Sequence, residues 1–198
     1  LSVVTPIVIV PGLGGSGETH WQTHLQRSLP NVTRVPQDDW ERPELTRWME
    51  QLARTVEARP DAILVAHSLG CPLVAHLARQ RPDLSIKGAL LVAPADVDSA
   101  HHTPPQTRGF APIPLGPLRF RSILVASTND PCITIERARE LATAWGADFV
   151  NAGAVGHINV EAGFGPWTKG VGQFFNSLGP DARSTNSRKR LGLTVGAR

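Results

Sequence analysis

Ala62-Ile63-Leu64-Val65-Ala66-His67-Ser68-Leu69-Gly70, continuing as Cys71-Pro72-Leu73-Val74-Ala75-His76-Leu77, is the stretch whose reading decides the fold. The apolar run at 62–66 predicts a strand buried on both faces, and Leu69, Leu73 and Leu77 recur at the spacing of a helix that lays one stripe on a sheet. Between them, Ala66-His67-Ser68-Leu69-Gly70 nearly matches G-x-S-x-G, in which a serine on a strained strand-to-helix bend holds its hydroxyl above a sheet edge. Ala66 replaces the first glycine; it adds only a methyl group, so the bend is expected to survive. Pro72 falls in the first helical turn, where a missing N–H costs nothing. The competing reading of Ser68 is a helix N-cap, and the pentapeptide alone leaves both open.

Working outward, residues 5–10 (Thr-Pro-Ile-Val-Ile-Val), 31–36, 88–93, 122–127 and 147–151 also read as strands, and residues 19–29, 43–57, 135–145 and 165–178 as helices. Strands alternating with helices predict an α/β domain of three layers, with a six-stranded, mostly parallel sheet between helices. Residues 94–117 carry six prolines and no helical period, so they predict a loop and no lid domain, leaving an open site. Phe110, Ile113 and Leu115 are candidates either to line that site or to tack the loop down.

A serine hydroxyl needs a base within hydrogen-bond reach, and the base needs a third group to fix its tautomer. Asp130 follows the strand at 122–127 and His157 follows the strand at 147–151, so Ser68, Asp130 and His157 are expected to project from one edge of one sheet. Their order along the chain is that of α/β-hydrolases. This agreement favours catalysis over the N-cap reading of Ser68. Asp96, just after the strand at 88–93, is the competing acid; Asp38 and Asp39 precede the nucleophile and fit less well. Pro11-Gly12-Leu13-Gly14-Gly15-Ser16-Gly17 calls for close backbone approach, and the backbone N–H groups of Leu13 and Leu69 are the expected oxyanion hole. That loop lacks both the P-loop ending and full dinucleotide spacing, so no nucleotide cofactor is expected. Gly12, Trp40, Phe110 and Ile158 are the candidate substrate contacts.

A chain of 198 residues, 41% of them hydrophobic, has enough material for one core and too little for two domains. Residues 1–179 are read as that domain. Arg183, Arg188, Lys189, Arg190 and Arg198 stand against Asp181 alone in residues 180–198. That tail therefore exceeds the net +3 of the whole chain, and the domain before it is slightly acidic. The tail is expected to be disordered, and no nucleic-acid partner is expected. No apolar run approaches the roughly 20 residues of a membrane span. With two cysteines, Cys71 and Cys132, and no secretory leader pattern, a cytoplasmic protein is expected. Cys71 follows the tip of the turn and is read as a small packed residue. His67 adjoins the serine but is expected to point away from the site; His20, His24, His76, His101 and His102 offer no convincing ligand spacing, so no metal is expected.

Several segments together resemble one family. They are Pro11-Gly12-Leu13-Gly14-Gly15-Ser16 with His20-Trp21-Gln22, then Gln37-Asp38-Asp39-Trp40, Ala66-His67-Ser68-Leu69-Gly70-Cys71, Ala89-Leu90-Leu91-Val92-Ala93-Pro94, Ser127-Thr128-Asn129-Asp130-Pro131, Trp145-Gly146 and Gly156-His157-Ile158-Asn159. Over residues 7 to about 178 the chain is similar to the small α/β-hydrolases of the retinoblastoma-binding protein 9 family and its bacterial relatives. The resemblance implies a compact hydrolase sheet in the order 2-1-3-4-5-6, with Ser68 as nucleophile, Asp130 as acid and His157 as base. It implies a serine hydrolase or esterase and says little about the substrate; taken with the Ser68, Asp130 and His157 pattern, small ester or amide substrates and no cofactor are expected. The alternative is an interaction protein that keeps the hydrolase frame without using it.

Overall fold

The computed structural model describes residues 5–167 together with residues 171, 172, 174 and 175. The tail at 180–198 and half of the residues of the helix expected at 165–178 lie outside the described residues.

Six strands form one sheet: β1 (Ile7–Val10), β2 (Val32–Arg34), β3 (Ala62–His67), β4 (Ile86–Val92), β5 (Arg121–Ala126) and β6 (Asp148–Asn151). Their order is β2-β1-β3-β4-β5-β6 and every pairing is parallel. Parallel neighbours require crossovers, and α1 (Trp21–Ser28), α2 (Leu45–Glu57), α3 (Gly70–Gln80) and α4 (Ile135–Trp145) supply four of them. Between β4 and β5 the proline-rich segment takes the place of a helix, forming only a short 3-10 turn at Pro105–Phe110. No helical lid is inserted. Arg108 holds this segment by donating to the carbonyls of Val97, Ser99 and Thr103.

Alternate residues along the strands feed two cores. On one face Val8, Val10, Leu64, Ala66, Leu91 and Leu124 pack with Trp48 and Leu52 of α2, Leu73 and Leu77 of α3, and Leu141 and Trp145 of α4. On the other, Ile63, Val65, Leu90, Val92 and Val125 pack with Trp21, Leu25, Trp167 and Phe174. Helices on both faces explain why the central strands read as unbroken apolar runs. They also leave the C-terminal ends of the strands as the place where loops converge, which is where open parallel sheets bind ligands.

The tightest crossing is where α3 leaves β3. A methyl group added at Gly70 would meet the backbone oxygens of Val10 and Pro11, and backbone in a central strand has no room to give. Gly70→Ala is therefore expected to destabilise the fold by about 1–3 kcal/mol, the usual cost of overpacking, as read from denaturant unfolding. Unchanged stability would mean that β1 and α3 are not in this close contact.

Candidate active site

Ser68 has φ +55, a left-handed conformation that a non-glycine residue adopts only when its surroundings impose it. Here the Ser68 N–H donates to Val92 O, and the Ser68 carbonyl accepts from the N–H groups of Cys71 and Ala95. The bend is thus tied to β4, to the first turn of α3 and to the loop after β4. Ser68 is not a helix cap: Leu69 is the capping residue and has no side-chain capping bond. The Ser68 hydroxyl faces His157 Nε2 at 2.9 Å.

His157 Nδ1 lies 2.9 and 3.0 Å from the two carboxylate oxygens of Asp130. The carboxylate itself is fully buried. Since a carboxylate only accepts, Nδ1 carries the proton and Nε2 is left to accept from Ser68. Burial opposes charging of the ring, but the hydrogen bond that His157 donates to Asp130, with Cys132 beside it, outweighs burial and holds the His157 pKa above the ordinary 6.5. The two loops that carry the pair are stitched together. The Asn129 side-chain oxygen accepts from Gly156 N and from the Ser127 hydroxyl, while the Ser127 oxygen accepts from Val155 N. Asp130 Oδ1 also accepts from Cys132 N, which fixes the carboxylate's plane.

The turn at His157 is held from below by two buried rings. His67 Nε2 donates to the His157 carbonyl at 2.9 Å, and Trp21 Nε1 donates to the Ile158 carbonyl at 2.9 Å. Burial, then the neighbouring His157 and His20, keeps the His67 pKa well below its ordinary value. A neutral His67 with its proton on Nε2 meets this bond. The expectation that His67 points away from the site is corrected: its ring lies 4.9 Å from that of His157. The reason is that β3 extends one residue further than the apolar run suggests, so His67 faces the lower core beside Trp21. His20 joins this group, its ring 4.8 Å from His67. Burial, with lesser effects from Arg34 and His157, lowers the His20 pKa to about 4.

Opposite the histidine lies the glycine-rich loop. A Cβ at Gly12 would sit 2.8 Å from Ser68 Cβ and 3.0 Å from Leu69 N, so this backbone reaches the serine only because it has no side chain. Neither Leu13 N–H nor Leu69 N–H donates a hydrogen bond among the described residues, although Leu69 is fully buried. The adjacent donors are used: Gly14 N bonds Trp40 O and Gly15 N bonds Gly12 O. Arg34, at the end of β2, donates to the carbonyls of Gly15 and Ser16 and to the Thr23 hydroxyl. Gln22 links Ser16 to the carbonyl of Val65 on β3. Arg34 and Gln22 are therefore supports of the loop; Arg34 stands out in no motif, and Gln22 only as part of the segment His20-Trp21-Gln22. A polar residue placed where an amphipathic pattern demands core, as Gln22 is beside Trp21, was the available signal.

The other candidates fall differently. Trp40 is partly exposed and stacks edge-on to Trp48, and it fills the space over Gly15. Phe110 is fully buried against Trp48, and its carbonyl accepts from His76 Nε2; its ring cannot line an open site, because the proline-rich segment folds back onto the α2–α3 core. Ile113 is buried with it, whereas Leu115 is exposed in a groove against Arg79 and Pro82. The Ile158 side chain is likewise fully buried, pointing into the lower core, and its part is to shape the turn after His157. Asp96 faces Arg137, which also pairs with Asp98, and it has no contact with His157. Cys71 is buried and its thiol is pushed far up by burial. Cys132 is a free, partly exposed thiol, and its Sγ, an Asp130 oxygen and a His157 nitrogen all lie within 4.8 Å of one another.

The family model for serine hydrolases matches residues 7–176, the whole of the sheet and all three residues above. The chain belongs to the serine hydrolase family. This serine hydrolase is similar to a protein described as a YdeN-like hydrolase from Pectobacterium atrosepticum, with 35% identity over 87% of this chain and 90% of that one, and a TM-score of 0.77. The YdeN protein of Bacillus subtilis shares 20% identity over 88% and 98% of the two chains, with a TM-score of 0.71. BpoC of Mycobacterium tuberculosis, described as a non-heme bromoperoxidase, shares 16% over 89% and 94%, with a TM-score of 0.65. The last two likenesses are of fold alone. No curated protein matches this chain. Among the described residues no helix is long and apolar enough to cross a membrane.

Two expectations follow from this geometry. His157 accepts a proton only when neutral, and its pKa is held above 6.5, so kcat/KM rises with pH through a midpoint on the alkaline side of 6.5. Asp130→Asn is expected to move that midpoint down and to lower kcat by roughly 10⁴-fold, a loss typical of a misplaced tautomer. A wild-type midpoint below 6.5 would contradict the assigned pair. Separately, Gly12→Ala pushes the loop away from Ser68 while leaving the triad intact, so kcat should drop by about 10²-fold with the circular dichroism spectrum unchanged.

Proposed function

We propose that this serine hydrolase is carboxylesterase-like and cleaves small esters, with small amides as the related substrate class, through an acyl-enzyme on Ser68. The observation that carries this reading is the 2.9 Å contact between the Ser68 hydroxyl and an imidazole whose other nitrogen is engaged by a buried carboxylate. His157 takes the hydroxyl proton as Ser68 attacks the carbonyl carbon. Asp130 then stabilises the imidazolium without itself being protonated. The N–H groups of Leu13 and Leu69, unpartnered among the described residues, receive the oxyanion, assisted by the positive end of α3. His157 next protonates the leaving group, and a water that it deprotonates releases the acid.

The substrate class is supported by the absence of a helical lid between β4 and β5, which suits small or protruding acyl groups better than lipid at an interface. The free thiols of Cys71 and Cys132 support a reducing, cytoplasmic setting. An interaction protein that kept only the frame would have no use for a left-handed serine, whose strain costs about 1–3 kcal/mol.

Purified protein is expected to hydrolyse p-nitrophenyl acetate and to be labelled by a fluorophosphonate. In Ser68→Ala the rate should fall by on the order of 10⁴–10⁶ and labelling should vanish. Retention of either would overturn Ser68 as nucleophile. An acyl-chain series of p-nitrophenyl esters run beside aminoacyl p-nitroanilides tests the substrate class: faster turnover of the anilides would replace the esterase reading with an amidase one.

A further inference from the structure

The side of His157 away from Ser68 carries more than the carboxylate that catalysis requires. Cys132 places a thiol there, and its Sγ, an oxygen of Asp130 and a nitrogen of His157 lie mutually within 4.8 Å. We propose that these three residues form a binding site for a thiophilic divalent cation, zinc above all, and that occupancy switches the hydrolase off. The inhibitory half of this proposal rests on the esterase reading; the binding half does not.

The donor set is the first reason. One thiolate, one imidazole and one carboxylate suit zinc, whereas magnesium and calcium favour oxygen ligands throughout. Ligands at zinc's usual bond lengths of about 2.0–2.3 Å in tetrahedral geometry stand about 3.4–3.6 Å apart. The present separations, from 2.9 Å between Nδ1 and Asp130 to at most 4.8 Å across the group, bracket that spacing. Side-chain adjustments of about 1 Å close the site, and water completes the fourth position. Access is the second reason. Asp130 is buried, but Cys132 and His157 are partly exposed, so an ion can enter from their side.

The proton balance explains why binding inhibits. In the free enzyme neutral His157 keeps its proton on Nδ1 and offers the Nε2 lone pair to Ser68. A cation bound to Nδ1 takes the place of the proton there, so the single ring proton moves to Nε2. Nε2 then donates towards the Ser68 oxygen and cannot accept its proton. The Cys132 thiol releases one proton to solvent as its sulfur binds. With the thiolate and the Asp130 carboxylate the divalent charge is matched, and no oxidant or reductant is involved.

The test uses the full-length protein with zinc and cobalt salts. Titration calorimetry is expected to show one zinc ion per chain in wild type and in Ser68→Ala alike. Cobalt(II) is expected to give a thiolate-to-metal absorption band in the near ultraviolet. Cys132→Ser should lose that band and weaken zinc binding by at least about 10-fold, the least that loss of a supporting group costs a metal site. Hydrolysis of p-nitrophenyl acetate should be inhibited by zinc, restored by EDTA and unaffected by equal magnesium. In Cys132→Ser, measured against its own metal-free rate, inhibition should need at least about 10-fold more zinc. Zinc binding unchanged in Cys132→Ser overturns the site. Binding with that signature but with an undiminished ester rate overturns the switch. An enzyme that shows no ester turnover even without metal speaks against the esterase reading, and calorimetry then decides the metal site by itself.

Discussion

Everything in this site depends on one strained residue. Ser68 sits at φ +55, and the strain holds because the chain on either side cannot relax. Behind it β3 is hydrogen-bonded between β1 and β4; ahead of it α3 is pressed so closely on β1 that only glycine fits at position 70. Beside it, Gly12 brings the glycine-rich loop within contact of the serine for the same reason. Absent side chains, more than any attractive contact, let three backbone segments meet at one point. The cost of the bend is met by burial of the two apolar cores that flank β3.

Once the hydroxyl is raised above the sheet edge, the other groups must be delivered to it from a distance. The loops after β5 and β6 do so as a unit, since Ser127 and Asn129 of the first bond the backbone of Val155 and Gly156 in the second. Two core rings, His67 and Trp21, then hold the carbonyls of consecutive residues, His157 and Ile158. The base is thereby fixed through its main chain from below and through Nδ1 from the side, leaving Nε2 as its one free direction. On the opposite flank, Arg34 and Gln22 pin the glycine loop through its carbonyls, which leaves two of its neighbourhood's N–H groups unspent. Buried neutral histidines suit this arrangement because they give directional bonds without placing a second full charge next to His157.

The strands, helices and their order were largely legible, because a parallel sheet covered on both faces writes its strands as continuous apolar runs and its helices as stripes. Helix bounds such as Ile135–Trp145 agree to the residue, since Thr134 caps one end and Gly146, at φ +67, stops the other. The order of Ser68, Asp130 and His157 along the chain was equally legible, as was the need for a glycine loop near the serine. Phe110 and Ile158 show what was not. Both are apolar residues in loops near the expected site, and nothing local distinguishes a side chain lining a cleft from one turned into a core. His67 shows the converse: nothing local gives a role to a polar residue next to Ser68, and only the meeting of β3 with the loop after β6 gives it a partner.

The sequence by itself determined the sheet, its crossovers, the sharp bend at Ser68 and the family to which the chain belongs, because these rest on periodicity and on glycine and proline, which act within a few residues. Only the tertiary structure decided which groups surround His157. The partners of its ring and backbone come from the loop after β5 (Asp130 and Cys132), the bend after β3 (Ser68) and β3 itself (His67), up to 90 residues away in the chain. Hydrogen bonds and metal-ligand geometry depend on distances of a few ångströms between such segments, and no pattern along the chain encodes those distances. That is why Cys132 reads as an incidental thiol in the sequence and as a neighbour of the catalytic pair in the fold.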